Sequence, residues 1–83
     1  MTTTHYEARA QIRAALSRWP QCDKATLCWY RSLHWQTREC VRLVYGERWS
    51  QQRVAMHLGV TTRTVRRSLW YARRVWYTCQ NVS

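Results

Sequence analysis

The residues best suited to do chemistry in this sequence are arginines in its C-terminal half. Arg63, Arg66 and Arg67 recur at intervals of three and four residues, so a helix would carry them on one face. The planar guanidinium fork of arginine can bind a phosphate or bridge O6 and N7 of a guanine. The spacing therefore predicts recognition of a nucleic acid.

The charge of the chain is distributed unevenly and supports the same interpretation. The 83 residues carry a formal net charge of +10, and Glu47 is the last acidic residue. Positions 48–83 hold no acid but seven arginines, namely Arg48, Arg53, Arg63, Arg66, Arg67, Arg73 and Arg74. Any single arginine can simply solvate the outer face of a helix. A whole cluster without compensating acids predicts a polyanionic partner.

The sequence predicts no enzyme, catalytic residue or cofactor. A chain of 83 residues buries only roughly 60–65% of its unfolded surface, which disfavours a deep, dry pocket. Glu7 and Asp23, the acids outside the arginine-rich motif, stand in no catalytic pattern. The cysteines lack a CxxC knuckle, so a zinc site is left open but not favoured, and Cys40 is better explained as a core residue. The four are Cys22, Cys28, Cys40 and Cys79.

Two helices are predicted in the N-terminal part. The first covers residues 5–19, with Thr4 and Glu7 as a capping box and Pro20 as its end. Its apolar stripe is formed by Tyr6, Ala10, Ile12, Ala14, Leu16 and Trp19. The second covers about 24–33 and is capped by Asp23. Its inward residues are expected to be Leu27, Cys28 and Tyr30, with Trp29 left open.

Three further helices complete the prediction. One covers about 36–45, with Cys40, Val41, Val44 and Tyr45 on its inner face and Gly46 as a left-handed cap. The next covers 51–58 and is capped by Ser50, with Val54, Ala55 and Leu58 turned inward. The last begins after Thr61 or Thr62 and runs to about 77, ahead of a frayed tail at 78–83. Its inner face is Val65, Leu69, Ala72 and Trp76, and its outer face is Arg63, Arg66, Arg67, Arg73 and Arg74.

The junction between the last two helices has the spacing of a helix-turn-helix. Small Ala55 allows the helices to approach closely, and Gly59 can adopt the positive φ of the turn. Val60 and Val65 would pack the second helix onto the first. The fold class is therefore all-α, and no strand is predicted. The chain divides into an N-terminal helical segment (1–34) and a helix-turn-helix (35–78) within a single compact domain.

Residues 33–77 also resemble region 4 of the bacterial sigma-70 factors. The resemblance is carried by Arg38 and Glu39, by Leu43, Tyr45 and Gly46, by Ser50, by Val54, Ala55, Leu58, Gly59 and Val60, by Thr64, Val65 and Arg66, and by Ala72, Arg73 and Arg74. It implies binding to duplex DNA at the upstream promoter hexamer and docking on the flap of RNA polymerase. We expect no room for a promoter-melting domain. The resemblance therefore indicates a small phage regulator, such as a late-transcription activator or a Q-type antiterminator.

The expected DNA contacts follow from helix-turn-helix geometry, which places the start of the last helix in the major groove. Thr62, Arg63, Arg66 and Arg67 are expected at base edges, with Thr61 and Thr64 beside them. The amides that open the preceding helix can hold a phosphate at Ser50, Gln51 and Gln52. Arg53, Arg73 and Arg74 are expected to bind backbone phosphates. Trp70 and Tyr71 are expected to pack on the N-terminal helices, with base stacking as the alternative.

Several functions remain open at this point. The leading hypothesis is a sequence-specific DNA-binding regulator that acts with RNA polymerase in the cytoplasm of a bacterial host cell. The alternatives are a polymerase-binding protein that occupies the flap, a repressor without polymerase contact, and a binder of RNA or single strands. No apolar run approaches the ~18 residues of a membrane span, and no signal peptide is recognised, so no membrane partner is expected. The sequence predicts no oligomeric state. It assigns residues 5–33 to covering the back of the helix-turn-helix or to contacting a partner.

Overall fold

The computed structural model describes residues 5–19, 21 and 23–81, and the regular structure within them is helical. Two N-terminal helices precede the helix-turn-helix, so the predicted all-α architecture is confirmed. Thr4, Pro20, Cys22 and the side chain of Tyr6 lie outside the described part. The elements in chain order are α1 (His5–Ser17), α2 (Lys24–Ser32), α3 (Trp35–Val41), a π-helical segment (Arg42–Gly46), α4 (Gln51–Leu58) and α5 (Thr62–Asn81).

Helix α1 buries a narrower face than the sequence suggested. Its core residues are Ala8, Ile12, Ala15 and Leu16, which follow the i, i+4, i+7, i+8 spacing of one helical stripe. Ala10 and Ala14 are exposed and Trp19 is 42% exposed, so their predicted inward placement is wrong. Positions two residues from Ile12 lie about 200° around the helix from it, which turns them to solvent. The helix ends at Ser17, and the predicted last residues 18 and 19 form a turn instead.

Helix α2 begins where Asp23 caps it. The Asp23 side chain accepts a hydrogen bond from the Thr26 amide at 2.8 Å, as predicted. Hydrogen bonds from Thr26 lower the pKa of Asp23, so the cap stays ionised at neutral pH. Thr26 and Trp29 form the buried face of α2. Cys28 is exposed, so its predicted inward position is wrong, because only the residues at three-residue intervals face the core.

The third predicted helix is divided in two. Residues 35–41 are α-helical, and residues 42–46 widen into a π-helical turn in which the Glu47 amide donates to the Arg42 carbonyl at 2.9 Å. Because of the widened turn, the backbone leaves the helix after Gly46 and changes direction two residues later. The left-handed residue is therefore Arg48, with φ 62°, and the predicted left-handed cap at Gly46 is wrong. The Trp49 amide then bonds the Leu43 carbonyl at 2.9 Å and fixes the approach to α4.

The helix-turn-helix forms as predicted. Ser50 Oγ accepts from the Arg53 amide at 3.1 Å at the start of α4. Gly59 adopts φ 69° and ψ 34°, and the Val60 amide bonds the Ala55 carbonyl at 2.9 Å. These bonds satisfy the last carbonyls of α4 while reversing the chain within three residues.

Helix α5 is the central element of the core. Its predicted inner residues Val65, Leu69, Ala72 and Trp76 are all buried. The helix continues to Asn81, so residues 78–81 extend it instead of forming the predicted frayed tail.

The N-terminal helices cover the back of α5, as one of the two expectations for them stated. The Trp29 indole donates to the Ala72 carbonyl at 2.8 Å, and the Trp76 indole donates to Gln11 Oε1 at 2.8 Å. The two indoles meet edge to face, with ring centroids 4.9 Å apart. Such geometry adds about 0.5–1.5 kcal/mol to the burial of the rings. Both N-terminal helices are thus attached to the same stretch of α5.

Substitution by alanine should change the free energy of unfolding differently at the two glycines. Gly59→Ala is expected to lower the free energy of unfolding by about 1–2 kcal/mol, because a Cβ disfavours the left-handed region. Gly46→Ala is the matched control, since its added Cβ would meet no atom within 4 Å apart from its chain neighbours and the backbone of its own helical turn, and its φ is not left-handed. It should be neutral or stabilising by up to about 1 kcal/mol. Urea denaturation followed by circular dichroism measures both, and equal losses would contradict the turn geometry.

Candidate nucleic-acid interface

The start of α5 is ordered by its own threonines. Thr61 Oγ1 accepts from the Thr64 amide at 3.1 Å, and the two hydroxyl oxygens lie 3.0 Å apart. Thr61 is therefore the cap, and Thr62 is the first helical residue. No acidic residue lies in the first turn of α5, so nothing there neutralises the positive end of the helix dipole.

The arginines that follow converge on one cleft. Arg63, Arg66 and Arg67 are exposed and line an open cleft of about 560 Å³. Gln51 from the start of α4 lines the same cleft. With Arg73, which also lines the cleft, the structure brings together five of the residues predicted to contact DNA, and they come from both helices of the motif. The cleft has a further basic wall that sequence reasoning missed, formed by Arg9 of α1.

The start of α4 presents a second group of predicted contacts. Ser50, Gln52 and Arg53 are exposed there, and the first turn of α4 holds no acid. The Arg53 guanidinium lies 3.8 Å from the ring centroid of Trp49, which itself meets His57 edge to face at 5.3 Å. Such a cation–π contact at an exposed site is worth roughly 0.5–1 kcal/mol. It holds the Arg53 head in place at the helix start.

Arg73 does not lie on the outer face, and that prediction is wrong. Its side chain is only 8% exposed, and Nη1 donates to Tyr45 Oη at 2.8 Å. The reason is the helical period, because Arg73 follows core residue Leu69 by four positions and so shares its face. That spacing was the signal available in the sequence. Arg73 still lines the floor of the cleft while it joins α5 to the π-helical segment.

Trp70 and Tyr71 also differ from expectation. They are 45% and 51% exposed, so the N-terminal helices do not bury either ring as their predicted packing required. The Arg74 guanidinium, which is exposed as predicted, lies 5.4 Å from the ring centroid of Trp70. Trp70 lines the cleft beside the arginines. The outer face of α5 is therefore both basic and aromatic.

No acid is among the described residues that line the cleft. Glu39 forms an ion pair with Arg42 at 2.9 Å, and this hydrogen bond lowers the pKa of Glu39. Asp23 caps α2. None of the residues lining the cleft is acidic. The described lining of the cleft therefore contributes positive charge and no carboxylate, which favours an incoming anion.

The described part of the chain holds no group of three His, Cys, Asp or Glu side chains able to bind a metal ion. Cys40 is a buried core residue as predicted, and burial raises the pKa of its thiol. Among the described helices, none combines the length and the apolar character that crossing a bilayer requires.

Two helices joined at a left-handed glycine, the second carrying outward arginines, define a helix-turn-helix of the DNA-binding class. The family model described as Sigma-70, region 4 matches residues 31–75, more than half of the chain. The chain belongs to the sigma-70 region 4 family, which supports a DNA-binding role connected with transcription. Comparisons with curated proteins and with solved structures give no significant match.

The buried hydrogen bond between Arg73 and Tyr45 should make a measurable contribution to the free energy of unfolding. Tyr45→Phe is expected to cost about 1–3 kcal/mol of unfolding free energy, because a buried charged donor loses its hydroxyl acceptor. Tyr71→Phe is the control, since that ring is half exposed, and its effect should stay within about 0.5 kcal/mol. Chemical denaturation compares the pair. Similar values for the two variants would mean that Tyr45 does not hold Arg73.

Proposed function

We propose that this chain binds duplex DNA through α4 and α5 and regulates transcription together with bacterial RNA polymerase. The observation that carries the DNA part is the convergence of Arg63, Arg66 and Arg67 on a cleft without acidic lining. These residues occupy the first two turns of the second helix of the motif, which is the part that reaches base edges in this class.

The roles proposed for individual residues follow their positions. Thr62, Arg63, Arg66 and Arg67 read base edges, since arginine can form two hydrogen bonds to one guanine. Gln51, Gln52 and the free amides at the start of α4 hold a backbone phosphate next to Ser50. Arg53 and Arg74 bind phosphates from the ring faces of Trp49 and Trp70. Thr61 and Thr64 fix the entry of α5 and lie next to the same groove.

Arg73 has a different proposed role from the other arginines. Because it is buried and bonded to Tyr45, it supplies positive charge to the floor of the cleft without reaching outward. The electric field of the Arg73 guanidinium acts on a phosphate in the cleft. Its hydrogen bond to Tyr45 holds α5 against the π-helical segment.

The contact with polymerase rests on family membership. We propose a regulator of phage type, acting in late-gene activation or antitermination within the bacterial cytoplasm. A protein that occupies the polymerase flap without reading DNA is the alternative, as is a repressor that needs no polymerase. The basic cleft favours the DNA-reading form, because an occupant of the flap alone has no need of it.

Removal of either reading arginine should weaken specific binding without unfolding the chain. A duplex site is first selected from a random library with the wild-type chain. Arg66→Ala and Arg67→Ala are each expected to weaken binding to it by about 5- to 150-fold, which corresponds to roughly 1–3 kcal/mol per bidentate contact. Arg31→Ala, an exposed change of equal charge on α2, is the control. Undiminished binding by both α5 variants would refute the reading role.

A pull-down with bacterial RNA polymerase, with and without the selected duplex, tests the partner. We expect retention of the chain by polymerase and stronger retention when the duplex is present. Retention that the duplex does not change would favour a flap-binding protein. Binding to the duplex alone, with no retention by polymerase, would favour a repressor.

A further inference from the structure

Helix α1 lies outside the matched region, residues 31–75, yet it forms a wall of the basic cleft. Contacts with the core and with α5 fix the position of α1. Ile12 is fully buried, and Gln11 Oε1 accepts the indole hydrogen bond of Trp76 at 2.8 Å. The side chains on the adjoining face of α1 are therefore held at a defined place relative to α5.

Two arginines share that face of α1. Arg9 and Arg13 are four residues apart, which stacks them on neighbouring turns. Arg9 lines the cleft, and the Arg13 guanidinium lies 6.0 Å from the ring centroid of Tyr45. Tyr45 is the residue that accepts the hydrogen bond of Arg73. The basic surface of α5 thus continues onto α1 through Arg73 and Tyr45.

The described residues that line the cleft bring like charges together, with no acid among them. Five arginines line it, contributed by two helices, and no acid does: Arg9, Arg63, Arg66, Arg67 and Arg73. Neighbouring cations repel, and the repulsion is relieved when an anion enters between them. The arginines of α5 continue from the cleft to the face proposed to enter the major groove. The anion that reaches both walls at once is therefore the sugar-phosphate backbone that borders this groove.

We infer that α1 is part of the DNA interface and that Arg9 binds a backbone phosphate of the duplex read by α5. This inference rests on the proposed function. Arg9 then positions the duplex without reading its sequence, because phosphate contacts are the same at every base pair. Arg13, one turn farther along, adds to the field and stands next to the path of the same strand.

The test is the salt dependence of duplex binding by the full chain. Arg9→Gln keeps most of the side-chain stem but removes the charge, and Arg9→Ala removes both. Each should lower the magnitude of the slope of log K against log salt concentration by about 0.9, the value of one lost phosphate contact. The loss of affinity should be equal on the selected duplex and on a scrambled duplex. Arg9→Lys should restore the slope, since it restores the charge.

Arg18→Ala is the matched control. It removes the same charge from the turn directly after α1, at an exposed position that does not line the cleft. Its slope should equal that of the wild-type chain. Circular dichroism and thermal unfolding confirm that the variants keep their fold, as expected for exposed positions.

The outcomes separate this inference from the proposed function. If the wild-type chain binds duplex and both Arg9→Gln and Arg9→Ala keep its slope, α1 is not in the interface, while the role of α5 stands. If the Arg9 variants lose affinity only on the selected duplex, Arg9 reads sequence and the phosphate assignment is wrong. If the wild-type chain binds no duplex, the proposed function and this inference fall together.

Discussion

The indole of Trp29 is the contact on which the arrangement of the remaining helices depends. It is fully buried, donates to a backbone carbonyl in the middle of α5, and meets the edge of Trp76. A buried indole N–H without an acceptor would cost about 1–3 kcal/mol, so this bond fixes one rotation of α2 about α5. Trp76 extends the attachment to α1 through Gln11. A short chain thus joins three helices with two large rings and two hydrogen bonds.

This attachment determines which side of α5 remains free. With Val65, Leu69, Ala72 and Trp76 turned to the core, the opposite face carries arginines and two half-exposed aromatic rings. Two tryptophans near the surface are paired with a cation, Trp49 with Arg53 and Trp70 with Arg74. The rings hold guanidinium groups at fixed places while leaving their N–H donors free for an acceptor. The aromatic content of the chain therefore serves the core and the basic surface alike.

The sequence predicted most where one residue decides the local structure. Asp23, Ser50 and Gly59 were assigned correctly, because a cap or a left-handed turn depends on the chemistry of a single position. Prediction from the sequence failed where a helix departs from the regular α-helical period. The π-helical turn at 42–46 moves the left-handed residue from Gly46 to Arg48, and no local residue type signals this. His34 was likewise overlooked, although its Nδ1 caps α3 by accepting the Gln36 amide at 3.3 Å.

The basic charge of the candidate site and the helices that form it were predictable from the sequence. The full set of residues that line the cleft was not. Charge and spacing along α5 assigned Arg63, Arg66 and Arg67 to one face, and the structure brings them into one cleft. Arg73 was expected on the outer face but is buried against Tyr45, and Arg9, for which no role was predicted, faces the cleft from α1. The position of Arg9 depends on how α1 docks on α5, which the hydrogen bond between Trp76 and Gln11 sets over a long sequence separation. When a basic surface lies on one helix, the helical period of its arginines predicts it from the sequence. When two helices share the surface, its form depends on how the core packs them together.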